Sequence, residues 1–448
     1  MDWQYLLSRK RLGKETEAGK DNSKIRTAFQ QDFDKIVFSS AFRRLQNKTQ
    51  VFPMPKSEYV RNRLTHSLET ASVGRSLGNL AGQHIIQKHP HLKEQYEFSD
   101  IGALVSAACL AHDIGNPPFG HSGEDAIAGY FQNQCRYLDK LTPAQRYDLQ
   151  NFEGNAAGFR IIATTPEARS SIKGGLGLTY ATYGTFVKYP RSSFPKPGNT
   201  PPTLKKFSYF DSEKEAFEKI AAGLRLSKRE IEGEEYYHRH PLAYLVEAAD
   251  DICYTIIDYE DGFQEGLISF EEVESAFMDI LGSDKDKIYA KYRKIYDQIS
   301  KINYLRSLAI NTLVHQTAEV FYEYEGGITE GNFEYSLLDK IQAADNIQRI
   351  KDDSFDRIYS SNAVLKKEAA GYKVLPFLLD IFVDAIFNPG KKQNKRLLKL
   401  IPPLYLDKDR HIFESDYDRL LNISMFVAGM TDKQAVNLYR QLNGIDIV

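Results

Sequence analysis

Apolar positions along this chain recur mostly at three- and four-residue spacing, the mark of helices that bury one face. From Asp32 onward Phe33, Ile36, Val37, Phe38, Ala41, Phe42 and Leu45 keep that period, with Arg43 and Arg44 beside them. Pro53 and Pro55 break it, because proline lacks the amide hydrogen that a helix interior needs. A second helix is predicted from about Arg61 to Gly82, with Leu64, Leu68, Ala71, Leu77, Leu80 and Ala81 on its apolar face and His66 near its start. The run 101–111 is apolar nearly all round, which predicts a helix buried on most sides, with Asp100 as its N-cap. Ser122 is placed to cap a helix through Phe131, Asp125 completing a capping box, and residues 151–165 predict another helix.

Residues 166–240 are less regular and rich in Gly, Pro and Tyr. Helical periodicity returns at His240 and runs to about Tyr259, ending in Glu-Asp-Gly. From about 266 amphipathic segments follow one another, with breaks at Gly282, Gly326-Gly327, Gly371, Asn388-Pro-Gly and Pro402-Pro403. Strand-like alternation is sparse, and no repeat on the ~20–50-residue scale is present. The pattern predicts an all-α protein with at most a small β-hairpin. It divides into a polar, basic N-terminal arm (1–31), a core (32–265) with an irregular insertion at about 166–240, and a C-terminal helical region (266–448). The arm carries Arg9, Lys10, Arg11, Lys14, Lys20, Lys24 and Arg26 and reads as solvated. The alternative is an arm that packs on a neighbouring subunit or reaches phosphates.

Composition adds limits. With 448 residues, 42% hydrophobic and 26% charged, the chain can bury a sizeable core. A formal net charge of -2 gives no global basic field for nucleic acid. Cys109, Cys135 and Cys253 have no CxxC spacing, and Cys109 and Cys253 sit in apolar runs, so buried inert thiols are expected rather than a disulfide or zinc cluster. No basic segment followed by an apolar one opens the chain, and no apolar stretch approaches the ~20 residues of a membrane span. A cytoplasmic protein is expected.

The chemistry gathers in 110–124, Leu-Ala-His-Asp-Ile-Gly-Asn-Pro-Pro-Phe-Gly-His-Ser-Gly-Glu. The adjacent His112 and Asp113 offer the nitrogen and oxygen donors that divalent ions take. His121, with Glu124 three residues on, is what a general acid/base with an orienting partner looks like. Two ligands do not complete a mononuclear site; His66 and one of Asp250 or Asp251 would give two His and two Asp with room for water. Helix geometry does not choose between the two aspartates, since both fit a polar stripe with Glu247 and Asp258.

His66, His112-Asp113 and a later Asp in Ala-Ala-Asp-Asp resemble the H…HD…D signature of HD-domain phosphohydrolases. Within that superfamily, 38–46, 48–53, 61–69, 112–124, 152–156, 247–254 and 428–432 resemble ordered blocks of the deoxyguanosine triphosphate triphosphohydrolases (dGTPases). The resemblance covers nearly the whole chain. It implies an all-helical HD core with a C-terminal helical extension, one divalent ion, and cleavage of a dNTP into deoxynucleoside and tripolyphosphate. Manganese or magnesium is the expected ion, with Fe, Co, Ni and Zn as alternatives. By position, the resemblance makes His66, His112, Asp113 and Asp250 the metal ligands, and His121 and Glu124 the pair at the scissile bond. It sets Tyr254 under the deoxyribose and makes Gln50 the reader of the sugar 3′-hydroxyl; Asp258, one turn on from Tyr254 in the same polar stripe, is expected as a further substrate contact. Arg63, Lys188, Tyr189 and Lys206 match triphosphate contacts.

The resemblance also implies a homo-oligomer, a hexamer on the family pattern, and dGTP as the first candidate substrate among dNTPs. Departures lie at the C-terminus: Asn422-Ile-Ser-Met-Phe-Val stands where relatives often carry an acid, and Lys433-Gln434 replaces a frequent Arg-Tyr. Lys391, Lys392, Lys395, Arg396 and Lys399 form a basic run that reads as a solvated helix face, or as a site for single-stranded DNA or an effector nucleotide. Other HD hydrolases, acting on nucleotide monophosphates, cyclic nucleotides or guanosine tetraphosphate, and a catalytically silent nucleotide- or nucleic-acid-binding scaffold, are the alternatives.

Overall fold

The computed structural model describes all residues except 16–24, 53–59, 165–174, 199–200, 283–284, 408–410 and 446–448. The break expected at Pro53 and Pro55 lies outside the described residues. The chain opens with a single helical turn, α1 (Trp3–Leu6), capped by Asp2. Here the expectation of a solvated arm is corrected: Trp3, Leu6, Leu7 and Leu12 are buried. Apolar side chains are threaded between the arm's charges, and among the described residues Arg11 finds a buried partner. Trp3 Nε1 donates to Glu325 Oε1 at 2.6 Å, and Arg11 pairs with buried Asp32 at 2.5 Å.

Side-chain caps start α2 (Ala28–Val37, from Thr27), α3 (Ser40–Arg44, from Ser39) and α4 (Arg63–Lys88, from Asn62). Because Ile85 and Ile86 continue its buried face, α4 outlasts its predicted end at Gly82. The apolar helix is α5 (Phe98–Ala111); its N-cap is Glu97, and Asp100 sits two residues inside, accepting from the Glu97 amide at 3.0 Å. Likewise α6 (His121–Asn133) starts from Gly120 without a side-chain cap, so Ser122 lies within the helix. The backbone sets these caps three residues before Asp100 and two before Ser122.

Next come α7 (Pro143–Gln150) and α8 (Gly154–Ala163). The insertion holds α9 (Tyr180–Phe186), α10 (Lys214–Leu224) and an antiparallel hairpin of β1 (Lys228–Ile231) and β2 (Glu234–Tyr237), with Lys228 opposite Tyr237. The fold is all-α with this one small hairpin among the described residues. Helix α11 (Ala243–Gln264) passes through Glu260-Asp261-Gly262 instead of ending there. Those acids are neutralised by Arg61, 2.8 Å from Glu260, and by Arg306 at the same distance.

The remainder comprises α12 (Phe270–Leu281), α13 (Lys285–Tyr292), α14 (Gln298–Glu330), α15 (Ala344–Ser354), α16 (Asn362–Phe387), α17 (Asn394–Leu397), α18 (Asp416–Ala428) and α19 (Asp432–Leu442). Two expected breaks are absent, since Gly326-Gly327 lies inside α14 and Gly371 inside α16. A helical glycine costs only about 1 kcal/mol, and Gly371 makes room for the Phe119 ring, which lies 3.1 Å from where a Cβ would stand.

Two apolar clusters fill the interior. One joins α1, α2, α4, α5, α11 and α14; the other gathers Phe131, Leu379, Phe382 and Leu421 around α6, α16 and α18. Ile114 belongs to the first and Phe119 to the second, so the seam runs through the turn between α5 and α6. Packing therefore does not divide the chain at 265: α14 lies on α4 and α11, and α16 on α6. Helices α4 and α5 approach closely, because a Cβ at Gly78 would come within 2.9 Å of Gly102 Cα.

Candidate active site

Helices α4, α5 and α11 bring three ligand-type side chains together at that seam. His66 lies in the first turn of α4, His112 ends α5, and Asp250 projects from α11. Asp250 Oδ1 stands 3.1 Å from His66 Nε2 and 3.3 Å from His112 Nε2. One donor atom from each lies within 4.8 Å of the other two, close enough to share an ion. His112 Nδ1 lies 2.6 Å from Cys109 O; donation to that carbonyl turns Nε2 toward Asp250, where it can hold a proton or, once that proton is lost, a metal ion. The neighbouring aspartates now separate, because Asp251 pairs with Lys351 at 3.4 Å instead.

Asp113 stands slightly apart. Its Oδ1 is 3.6 Å from His112 Nε2 and accepts from the Asn116 amide, while Oδ2 accepts from Arg63 Nη1 at 2.9 Å. Burial opposes ionisation of Asp113, yet Arg63, His112 and His66 hold it below its ordinary range. Burial alone would push the His112 imidazole down, but Asp113 and Asp250 outweigh it and raise it to about 9. Two imidazoles and two ionised carboxylates suit one divalent ion, and loading such an ion would displace the His112 proton. His66, His112 and Asp250 would hold it, with Asp113 closing the shell.

The second group stands at the start of α6. His121 Nδ1 lies 2.8 Å from Glu124 Oε2, and the other Glu124 oxygen accepts the Gly154 amide at 2.8 Å. The hydrogen bond to Glu124 raises the His121 imidazole above its usual value. Glu124 is buried, whereas the His121 side chain is 84% exposed to the cavity it borders. Lys206 stands 3.6 Å from Glu124 and 3.0 Å from Glu153.

A cavity of about 540 Å³ unites these groups. Its wall includes the expected residues His66, His112, Asp113, Asp250, His121, Gln50, Arg63, Lys188, Tyr189, Lys206 and Tyr254. Gln50 Oε1 is buried without a partner among the described residues, an acceptor awaiting a donor. Lys188 is desolvated, but Glu247, 3.3 Å away, keeps its ammonium charged. Glu124 faces a neighbouring cavity of about 460 Å³ that shares His121 and Lys206 with the first.

Asp258 corrects an expectation. It does not line the cavity; it is buried and accepts the Tyr359 hydroxyl at 2.9 Å, and burial lifts its carboxyl to about 7. Tyr359 lines the cavity and stacks on Tyr254, ring centres 5.3 Å apart and planes 15° from parallel. Tyr359 and Lys367 are site residues that the sequence reading missed, as is Asn116. Asn116 was within reach, three positions after Asp113 in an already suspect string. Tyr359 and Lys367 arrive from the distant C-terminal half with no local motif around them. In the basic run, Lys391 pairs with Asp384 at 3.0 Å.

Comparison with known proteins agrees with this geometry. An HD-domain model matches residues 63–141, which contain His66, His112-Asp113 and His121. A deoxyguanosinetriphosphate triphosphohydrolase-like protein of Synechocystis sp. is 40% identical over 100% of both chains. The chain belongs to the dGTPase family of HD-domain phosphohydrolases. Another dGTPase-like protein, from Pseudomonas aeruginosa, is 38% identical over 99% of each chain. The deoxyguanosinetriphosphate triphosphohydrolase of Klebsiella pneumoniae is 30% identical over 93% of this chain and 94% of its own. Membership of the dGTPase family makes the protein a nucleotide triphosphohydrolase by class, and the three-atom ligand set is where its HD core would take a metal. Among the described residues no helix is long and apolar enough to cross a membrane.

Proposed function

We propose that this protein hydrolyses dGTP, with other dNTPs as further candidate substrates, to the deoxynucleoside and inorganic tripolyphosphate. Water attacks the α-phosphorus, with one Mn or Mg ion in the His66, His112, Asp113 and Asp250 set. One observation carries the reading: the ligand set, His121 and the cations Arg63, Lys188 and Lys206 border a single nucleotide-sized cavity, and Glu124 holds His121 from behind. A bound divalent ion supplies charge relief on the phosphoryl oxygens and a lowered pKa for water.

The protein's own groups do the rest. His121 commits Nδ1 to Glu124, which leaves Nε2 to exchange a proton with the attacking water or the departing 5′-oxygen. Lys188, Lys206 and Tyr189 meet a triphosphate of roughly three to four negative charges. Arg63 acts partly through Asp113, the carboxylate it already holds. Gln50 accepts the sugar 3′-hydroxyl with its unpartnered oxygen, and Tyr254, backed by Tyr359, lies against the deoxyribose. The same reading takes the protein to be a cytoplasmic homo-oligomer, a hexamer on the family pattern.

The test is incubation with each dNTP in turn, with Mn or Mg and a chelator control, and chromatography of the products. Tripolyphosphate with a free deoxynucleoside, lost on chelation, is the expected result. Release of orthophosphate or pyrophosphate overturns it.

A further inference from the structure

The Asp432 carboxylate, at the first position of α19, reaches from the C-terminus into the seam beneath the site. Its Oδ1 accepts the Phe119 amide at 3.1 Å and its Oδ2 accepts the Thr49 amide at 3.3 Å. Those two amides precede residues of the cavity wall. Thr49 is followed by Gln50, and Phe119 is followed by Gly120 and then His121. Lys367 Nζ, largely buried, stands 4.0 Å from the same carboxylate.

The segment it grips is one that would not hold its shape unaided. Phe119 has φ of +67° and Gly120 φ of +65°, two successive residues in a region that L side chains avoid. Gly120 is also the N-cap of α6 and offers no side-chain hydrogen bond there. The Phe119 ring is pinned against Gly371 of α16, and its amide is pinned by Asp432. The direction in which α6 leaves the turn, and so the placing of His121 relative to the His66–His112–Asp250 set, depends on those two anchors.

We infer that Asp432 is a positioning residue for the reaction: one carboxylate from the C-terminal helix sets His121 and Gln50 at their distances from the metal set without touching substrate. The inference rests on the reading of His121 as the acid/base. The metal set is held separately, by α4, α5 and α11, so loss of Asp432 leaves ion binding in place while displacing the proton-handling group. A displacement near 1 Å costs on the order of 10²-fold in rate.

The test uses full-length Asp432→Ala, Asp432→Asn and His121→Ala. For each, kcat and KM for dGTP, the pH–rate profile, Mn affinity by electron paramagnetic resonance and Tm are measured. Asp432→Ala is expected to lose about 10²-fold in kcat with Mn affinity within about twofold of the parent. Asp432→Asn, which keeps one acceptor for the Phe119 amide, should recover the larger part of kcat while KM stays raised through Thr49 and Gln50. Should Asp432→Ala fail to fold, Asp432→Asn decides: parental kcat, KM and pH profile in that variant overturn the inference. A fall in Mn affinity and Tm parallel to the fall in kcat also overturns it, since general loosening then explains the loss. If His121→Ala turns over normally, the acid/base reading itself is wrong. If His121→Ala is inactive and both Asp432 variants are normal, the positioning role alone is wrong.

Discussion

At the scale of single residues, the pairing of His121 with Glu124 makes a claim that titration can check. The Glu124 hydrogen bond raises the His121 imidazole, so removing the negative charge should lower it. In Glu124→Gln, the His121 pKa followed by NMR should drop toward the ordinary value near 6.5, and kcat should fall by ~10²–10⁴-fold. An unchanged His121 titration would show that Glu124 is not its partner. Gln50 gives a second test. If its orphan oxygen meets the 3′-hydroxyl, Gln50→Ala loses kcat/KM for dGTP while a 3′-deoxy analogue, already poor, is hardly affected; equal losses on both substrates count against that contact. Residues of this kind were legible because His112, Asp113, His121 and Glu124 occupy one short string. Tyr359 was not, because its place over Tyr254 and Asp258 is fixed by how α15 and the turn after it pack on α11. Nothing in its own neighbours records that, and the polar stripe of α11 pointed past it to Asp258.

At the scale of elements, the sequence period located the helices, while errors collected where local punctuation and tertiary packing disagreed. Gly326-Gly327 and Gly371 read as stops, but a long helix with a buried face absorbs them. Glu260-Asp261-Gly262 read as a helix end because neither Arg61 nor Arg306 is near in sequence. The docking of α1 was likewise illegible, and it depends on a buried histidine. His240 Nε2 lies 3.0 Å from Leu6 O and its Nδ1 accepts the Leu242 amide at 3.2 Å. Burial lowers its pKa to about 4. The unfolded chain protonates this group from about pH 6.5 downward and the folded one only near pH 4. Its contribution is therefore complete above pH 6.5 and lost as the pH falls from 6.5 to 4, by about 3 kcal/mol. Urea midpoints should fall across that window, and His240→Gln should flatten the fall; an equal slope in the variant would assign the effect to other groups.

At the scale of the whole molecule, the two apolar clusters meet where the chemistry is: α4, α5 and α11, which carry the His66–His112–Asp250 set, pack in one, and α6 packs in the other. An ion held by His66, His112 and Asp250 would tie α4, α5 and α11 together in the folded state only. Mn at about 100-fold above its Kd should stabilise the protein by about 2.7 kcal/mol, read as a higher Tm that EDTA reverses. In Asp250→Ala the metal-dependent rise should disappear. A rise that survives in that variant would locate the ion elsewhere.

The burial of Trp3 has a practical meaning. It is the single tryptophan of 448 residues, its indole bonded to Glu325 in α14. Intrinsic fluorescence excited at the red edge therefore reports one contact, the seating of the first helical turn on α14. Burial of the ring should keep its emission blue-shifted while that contact holds, with a shift to the red when it opens. An optical signal from the end of α4 opposite His66 can thus be followed alongside turnover, without any label.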